Sequence, residues 1–280
     1  MNTLYISDLD GTLLNKEAEL SEYTRTVLNE LIAKGMKFSI ATARSAATVN
    51  DILKGIRLNL PVILMNGVLI YDFNLKTYIN IEYLPGESFS YIINALKQHH
   101  LTGFLYEIKH NTQTTYYERL AQKAQRDFYE ERVRKYQKPF TQVSDFALVN
   151  PDHIIYLALL DKKENLEPAY EQLKRCPGIA MAYYKDIYSE EELWYLEIFS
   201  KNATKYNAVL YLREKYHYET IIGFGDNLND LPLFKACDIT CAVKNAKEEL
   251  KAAATYIIGS NTDDGVVRWL SNNIDPGGII

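Results

Sequence analysis

Cysteine is scarce: Cys176, Cys237 and Cys241 are the whole complement in 280 residues. An odd count in a chain of this length does not read as a disulfide framework. Cys237 and Cys241 lie close together, but no His or Cys cluster completes a zinc pattern around them. Reduced, mostly buried thiols are expected. A basic excess is also missing. Lys plus Arg number 31 against 36 Asp plus Glu, a formal net charge of -5, which argues against a nucleic-acid partner. No apolar run approaches the ~18 residues needed to span a bilayer. The first residues carry no basic or apolar leader and reach acids at Asp8 and Asp10. A cytoplasmic protein with no membrane partner, either a monomer or a weak homodimer, is the expectation. Internal repeats, low-complexity segments and a Gly-x-Ser-x-Gly nucleophile elbow are all absent.

What is present is ordinary globular composition, 47% hydrophobic and 24% charged, enough to bury a core without staples. At ~100–200 residues per domain the length favours two domains over one. Tyrosine is abundant, at 22 residues scattered along the chain.

The N-terminal part alternates strand and helix. Apolar runs at Thr3–Ser7, Lys37–Ala41 and Pro61–Met65 read as strands. Helical spacing appears over Ser21–Lys34 and around Ala46–Lys54. This order predicts an α/β fold, a Rossmann-like parallel sheet with helices on both faces. Asn66-Gly67 then precedes a hairpin with arms Val68–Tyr71 and Thr77–Glu82. From Leu84 the texture becomes α+β, with helices at Ser88–Gln98, Ala121–Gln137 and Lys163–Lys174 and strands at Gly103–Lys109, His153–Leu160 and Ile179–Tyr184. Glu192–Phe199 is a further strand. Alternation returns with a helix at Asn202–Lys215, strands at Thr220–Gly225, Ile239–Val243 and Tyr256–Ile258, and helices at Asp230–Ala236, Ala246–Ala254 and Asp264–Leu270. Asp275-Pro-Gly-Gly reads as a frayed tail.

Two acidic clusters stand at predicted strand ends, where open parallel sheets bind ligands. In Asp8-Leu9-Asp10-Gly11-Thr12-Leu13, residues i and i+2 of extended chain point the same way, so Asp8 and Asp10 can converge on one volume. Gly11 permits a sharp turn. Two carboxylates held together need a cation between them, and an oxygen-rich site suits Mg2+. In Gly225-Asp226-Asn227-Leu228-Asn229-Asp230, oxygens again cluster in a glycine-flanked loop. Either cluster alone could be a solvated turn or a helix cap; together, at two parallel strand ends, they point to a metal site.

These residues resemble the haloacid dehalogenase superfamily. DLDGTLL is similar to its first signature and GDNLND to its fourth. Thr42, in Ile40-Ala-Thr-Ala-Arg44, matches the second, and Lys205, at the end of Glu197-Ile-Phe-Ser-Lys-Asn-Ala-Thr-Lys205, the third. The long insertion resembles the large α+β cap of the Cof-type subfamily (class IIB). Asn66-Gly67, Asn245-Ala246 and Asp264-Gly265-Val266 are secondary likenesses. Ala43 and Phe199 depart from the family, which often has Gly and Pro there.

The resemblance implies a discontinuous catalytic core, residues 1–83 and 193–280, with a specificity cap inserted at 84–192. It implies a Mg2+-dependent phosphatase acting on a small phosphorylated metabolite, a sugar phosphate being the leading substrate, through an aspartyl-phosphate. Asp8 would be nucleophile, Asp10 general acid and base, and Lys205 the charge-balancing cation. The side chains of Asp8 and Asp226 and the backbone carbonyl of Asp10 would hold the metal. Thr42, Arg44, Asn66 and Asn229 would contact phosphate or substrate, with Asp230 in support; which of Asn229 and Asp230 orients Lys205 is open at this point. Two further readings use the same scaffold: a phosphohexomutase, and a metabolite-binding module without catalysis.

Overall fold

The computed structural model describes residues 2–136, 139–186, 192–275 and 278–279. It divides into two compact units, 1–81 with 203–280, and 82–202.

The first unit begins with β1 (Thr3–Ser7), α1 (Glu22–Ala33), β2 (Lys37–Ile40) and α2 (Ala46–Ile52). Ser21 caps α1, its hydroxyl accepting from the Thr24 amide at 2.9 Å. Next come β3 (Val62–Leu64), β4 (Leu69–Asp72) and β5 (Thr77–Ile81). Here the structure departs from the expectation. β3 joins the parallel sheet through a single bridge, Ala41 to Ile63, and otherwise pairs antiparallel with β4, which pairs with β5. The cause is the tight turn at Met65–Gly67, with Met65 and Asn66 at φ 50° and 54°, which folds β4 straight back onto β3. Asn66-Gly67 therefore closes β3 onto β4, and β4 and β5 form the second turn of a three-stranded meander.

The second unit runs α3 (Gly86–Gln98), β6 (Gly103–Lys109), β7 (Thr112–Tyr117), α4 (Lys123–Tyr136), β8 (Phe140–Gln142), β9 (Ile154–Lys162), α5 (Lys163–Leu173), β10 (Ile179–Lys185) and β11 (Leu193–Ser200). Its strands form one sheet, ordered β10-β11-β9-β6-β7-β8. Leu105, Leu157, Leu159, Leu196 and Ile198 on one face pack with Ile92, Ile93 and Leu96 of α3 and Leu166, Ala169 and Leu173 of α5. Gln137, the expected last residue of the helix at 121–137, lies outside the described residues. β11 corrects the expected boundary at 193: it lies between β9 and β10, antiparallel to both, so 193–202 fold with the second unit.

The chain returns with α6 (Lys205–Tyr216), β12 (Thr220–Gly225), α7 (Leu231–Ala236), β13 (Ile239–Val243), α8 (Glu248–Ala252), β14 (Tyr256–Ile258) and α9 (Gly265–Asn273). The five-stranded sheet is ordered β14-β13-β12-β1-β2 and is parallel throughout. Its strands bury both faces, as the continuous apolar runs require: Leu4, Ile6, Phe38, Ile40, Ile221, Ile222 and Phe224 are all fully buried. β1 and β12 are adjacent, with Ser7 opposite Phe224, which sets their two acidic loops side by side. In the expected tail, Pro276 and Gly277 lie outside the described residues.

Candidate active site

Lys205 stands at the centre. Thr204 caps α6, accepting from the Asn207 amide at 3.1 Å, and so fixes Lys205 at the first helical position. The Lys205 side chain is 1% exposed, and its Nζ donates to Asp8 Oδ1 and Asp230 Oδ1, both at 2.6 Å. Burial alone would push this ammonium's pKa down, but the two carboxylates outweigh it and hold it above its ordinary value.

Asp230, fully buried, spends its other oxygen on the backbone. Its Oδ2 accepts from the amides of Asp226 at 3.0 Å and Asn227 at 3.2 Å. One residue thus serves as helix-terminus acceptor and as partner of Lys205, so both readings of this loop hold. Of the two candidates, Asp230 is the one that pairs with Lys205; Asn229 is exposed beside it.

Asp8, Asp226 and Asp230 each offer an oxygen within 4.8 Å of the others, the one such group among the described residues. Lys205 does not neutralise this trio. Burial raises the Asp8 pKa, Lys205 pulls it down, and Asp230 and Asp226 push it up again, leaving it raised. Burial, then Asp230, push Asp226 up to about 6. The excess negative charge and the all-oxygen donor set fit a hard divalent cation. The loop backbone comes close as well: a Cβ on Gly11, which sits at φ +77°, would stand 2.3 Å from Asp226 Oδ2.

Asp10 behaves differently from the i, i+2 expectation. Its carboxylate lies outside the trio and receives a two-pronged clamp from Arg44, Nε at 2.7 Å and an Nη at 2.5 Å. The extended geometry ends at Gly11, and the half-exposed Asp10 side chain finds a planar fork matched to a carboxylate. Thr42 is fully buried at the end of β2. Its amide donates to Ile63 O at 3.0 Å and its carbonyl accepts from the Asn66 amide at 2.9 Å, so the turn at Asn66 is tied to the Thr42 loop. Asn66 Oδ1 is buried with no hydrogen-bond partner among the described residues. Gly67 abuts the α6 cap, where a Cβ would lie 2.3 Å from Thr204 O.

Three bracing residues carried too little local signal for a role to be read from sequence. Thr12 donates to Asp226 Oδ1 at 3.1 Å. Asn245 donates to Gly11 O at 2.8 Å and accepts from the Asn261 amide at 3.0 Å. Asn261 donates to Leu14 O at 2.8 Å. The likeness at Asn245-Ala246 marked one of them; Asn261 lies in a polar loop like any other. The three cysteines are free, and burial pushes the Cys241 thiol up to about 12.

The family model for haloacid dehalogenase-like hydrolases matches residues 5–270. The chain belongs to this family. Its long α+β second unit agrees with the Cof-type resemblance. Relatives include the 5-amino-6-(5-phospho-D-ribitylamino)uracil phosphatase YwtE of Bacillus subtilis, 27% identical over 281 residues, covering 94% of this chain and 95% of that protein. The pyridoxal phosphate phosphatase YbhA of Escherichia coli is 22% identical over 283 residues, covering 95% and 97%. Among solved structures, TM0651 from Thermotoga maritima superposes with a TM-score of 0.78 at 26% identity, covering 98% of both chains. Among the described residues, no helix is long and apolar enough to cross a membrane.

Proposed function

We propose that this chain is a Mg2+-dependent phosphatase that hydrolyses a small phosphorylated metabolite through an aspartyl-phosphate on Asp8. The observation that carries the reading is the sharing of the buried Lys205 between Asp8 Oδ1 and Asp230 Oδ1. It fixes one oxygen of Asp8 and leaves Oδ2 as the attacking atom. Its named relatives being phosphatases supports the same class.

The side chains of Asp8 and Asp226 and the backbone carbonyl of Asp10 would hold the metal. When bound, Mg2+ offsets the carboxylate charge and the charge on the phosphoryl oxygens. The remaining work falls to the chain. Asp8 Oδ2 forms a bond to phosphorus as the bond to the leaving oxygen breaks, in line with it. Asp10 gives its proton to that oxygen, then takes one from the water that attacks the aspartyl-phosphate. For this, Arg44 releases Asp10 and turns its fork to a phosphate oxygen. The Thr42 hydroxyl, Asn66 and Asn229 supply further polar contacts to phosphate or substrate. Residues 82–202 are the unit we assign to substrate choice.

The test is a phosphate-release screen over sugar phosphates, nucleotides and cofactor phosphates with Mg2+ present. Steady release from at least one class, abolished by chelation, is expected. Inertness toward the whole panel would overturn the proposal, and isomerised product without free phosphate would replace it with a mutase.

A further inference from the structure

The sheet of the second unit has two unlike edges. β8, at one end, is three residues long and carries exposed Thr141 and Gln142. β10, at the other, is seven residues long, Ile-Ala-Met-Ala-Tyr-Tyr-Lys. Its first six residues include no charge and no proline. Its pairing with β11 runs without a bulge from Ile179 opposite Ser200 to Lys185 opposite Trp194. Natural sheets blunt such long edges with charges, prolines or bulges. Hydrogen bonds just beyond both ends of β10 fix which backbone groups turn inward. Lys201 N donates to Gly178 O at 3.0 Å, and Asp186 N donates to Leu193 O at 2.8 Å. Bonded positions alternate along an antiparallel pair, so Gly178, Ala180, Ala182, Tyr184 and Asp186 bond to β11. The N–H and C=O groups of Ile179, Met181, Tyr183 and Lys185 therefore point to the open side. Among the described residues, none of these eight groups has a hydrogen-bond partner.

Donors and acceptors spaced in this way are met by another extended strand, and β10 is complementary to itself. Two copies related by a two-fold axis pair antiparallel. With the axis at Ala182, Ile179 faces Lys185 of the second copy and Met181 faces Tyr183 of the second copy, and the reverse by symmetry. All eight groups on each edge are then met. An axis at Met181 would set Lys185 against Pro177, which has no N–H, and one at Tyr183 would leave Ile179 beyond the end of β10. The side chains suit the same register. Ile179, Met181 and Tyr183 pack toward the core under α3 and α5; on the other face Ala182 meets its own copy and Ala180 meets Tyr184, small against large. Tyr184 is 44% exposed and stacks on Tyr195 at 5.5 Å. Met181 lies opposite Tyr183, whose hydroxyl donates to Glu167 Oε2 at 3.0 Å. The charges agree too. Lys185 is the one charged residue of the strand, and this register keeps it six residues, about 20 Å, from its own copy. An in-register parallel pairing would set the two lysines side by side, which destabilises a sheet.

From these observations we infer that β10 is the docking edge for a second copy of this chain, joining two six-stranded sheets into one continuous sheet across a homodimer. One strand pair with its flanking side chains is a small interface, so the dimer is reversible. The inference does not depend on the phosphatase reading.

The test is sedimentation velocity of the full chain across two decades of concentration, where a dimer fraction that rises with concentration is expected. Met181→Pro removes an outward N–H and no bond to β11, a position at which edge strands accept proline; it should raise the dimer dissociation constant at least tenfold. Ala182→Lys sets like charges opposite each other across the axis. Within the chain it lies opposite Glu197, so it should fold and lose the dimer, with part of the association restored by high salt. Far-UV circular dichroism checks that each variant folds. Disulfide formation with diamide as oxidant reads the register. Directly opposite residues of a non-hydrogen-bonded pair have Cα atoms about 4.5 Å apart, within reach of a disulfide. Ala182→Cys should therefore cross-link to its own copy. Ala180→Cys, about 14 Å from its own copy, should cross-link only when mixed with Tyr184→Cys. A wild type that stays monomeric throughout, folded Met181→Pro or Ala182→Lys that dimerises like the wild type, or Ala182→Cys that cross-links no faster than Ala180→Cys alone would overturn the inference. Should Met181→Pro or Ala182→Lys not fold, the wild-type sedimentation and the cysteine variants decide.

Discussion

Asp226→Asn should make the metal-free protein more stable while removing its response to metal. Burial and Asp230 lift the Asp226 carboxyl from 3.8 to about 6. A shift of that size corresponds to about 3 kcal/mol at 1.36 kcal/mol per pH unit. Asp226 is partly exposed, so solvent screening reduces the cost of its charge at neutral pH to roughly 1–2 kcal/mol. The sign follows from proton linkage. A raised folded-state value favours the protonated form on folding, so the stabilisation is complete below about pH 3.8 and is lost as pH rises through about 6. Asparagine keeps an oxygen for the Thr12 hydroxyl but carries no charge. In chelator at pH 7.5 the variant should therefore melt about 2–8 °C higher than wild type, at about 2–4 °C per kcal/mol. Its melting temperature should also fall less steeply between pH 4 and 6. Adding Mg2+ should raise the wild-type melting temperature by mass action and leave the variant nearly unmoved. Differential scanning calorimetry over pH 4–8, with and without Mg2+, reads all three effects. A variant less stable than wild type in chelator, or one that keeps the full Mg2+ response, would refute the reasoning.

Lys205→Met should lower stability by about 3–5 kcal/mol, because it leaves Asp8 and Asp230 buried without their shared cation; chemical denaturation checks this, and the double change with Asp230→Asn should recover part of the loss. Gly11→Ala should weaken Mg2+ binding at least tenfold, since the new methyl would collide with the Asp226 carboxylate at a φ that alanine resists; metal titration followed by melting temperature is the readout. Asn245→Ala frees the Gly11 carbonyl, and its effect should fall mainly on kcat, about tenfold, with KM changed less than threefold.

Much of the core was legible because its strands are buried on both faces. Thr3–Ser7 and Thr220–Gly225 are short apolar runs that end in acids, and a parallel sheet is the one arrangement that buries such runs while leaving their ends wet. β7 (TQTTYY) and β8 (FTQ) left no such mark: β8 is the edge strand of the sheet and β7 lies next to it, their side chains are largely polar, and their composition reads as loop. The placement of β11 was hidden for another reason. LWYLEIF pairs as readily with a parallel as with an antiparallel neighbour, and nothing local says which. At the site, residue types and spacing revealed the acids and Lys205, but not directions. Asp10 turned to Arg44 because a fork 34 residues away offered two donors, and that pairing exists only after folding.

The account stands or falls on Asp8 as the attacking group. Asp8→Asn removes the nucleophile and keeps an oxygen for Lys205, so the folded variant should show no measurable Mg2+-dependent phosphate release from any ester that the wild type hydrolyses. Near-normal release by that variant would contradict it.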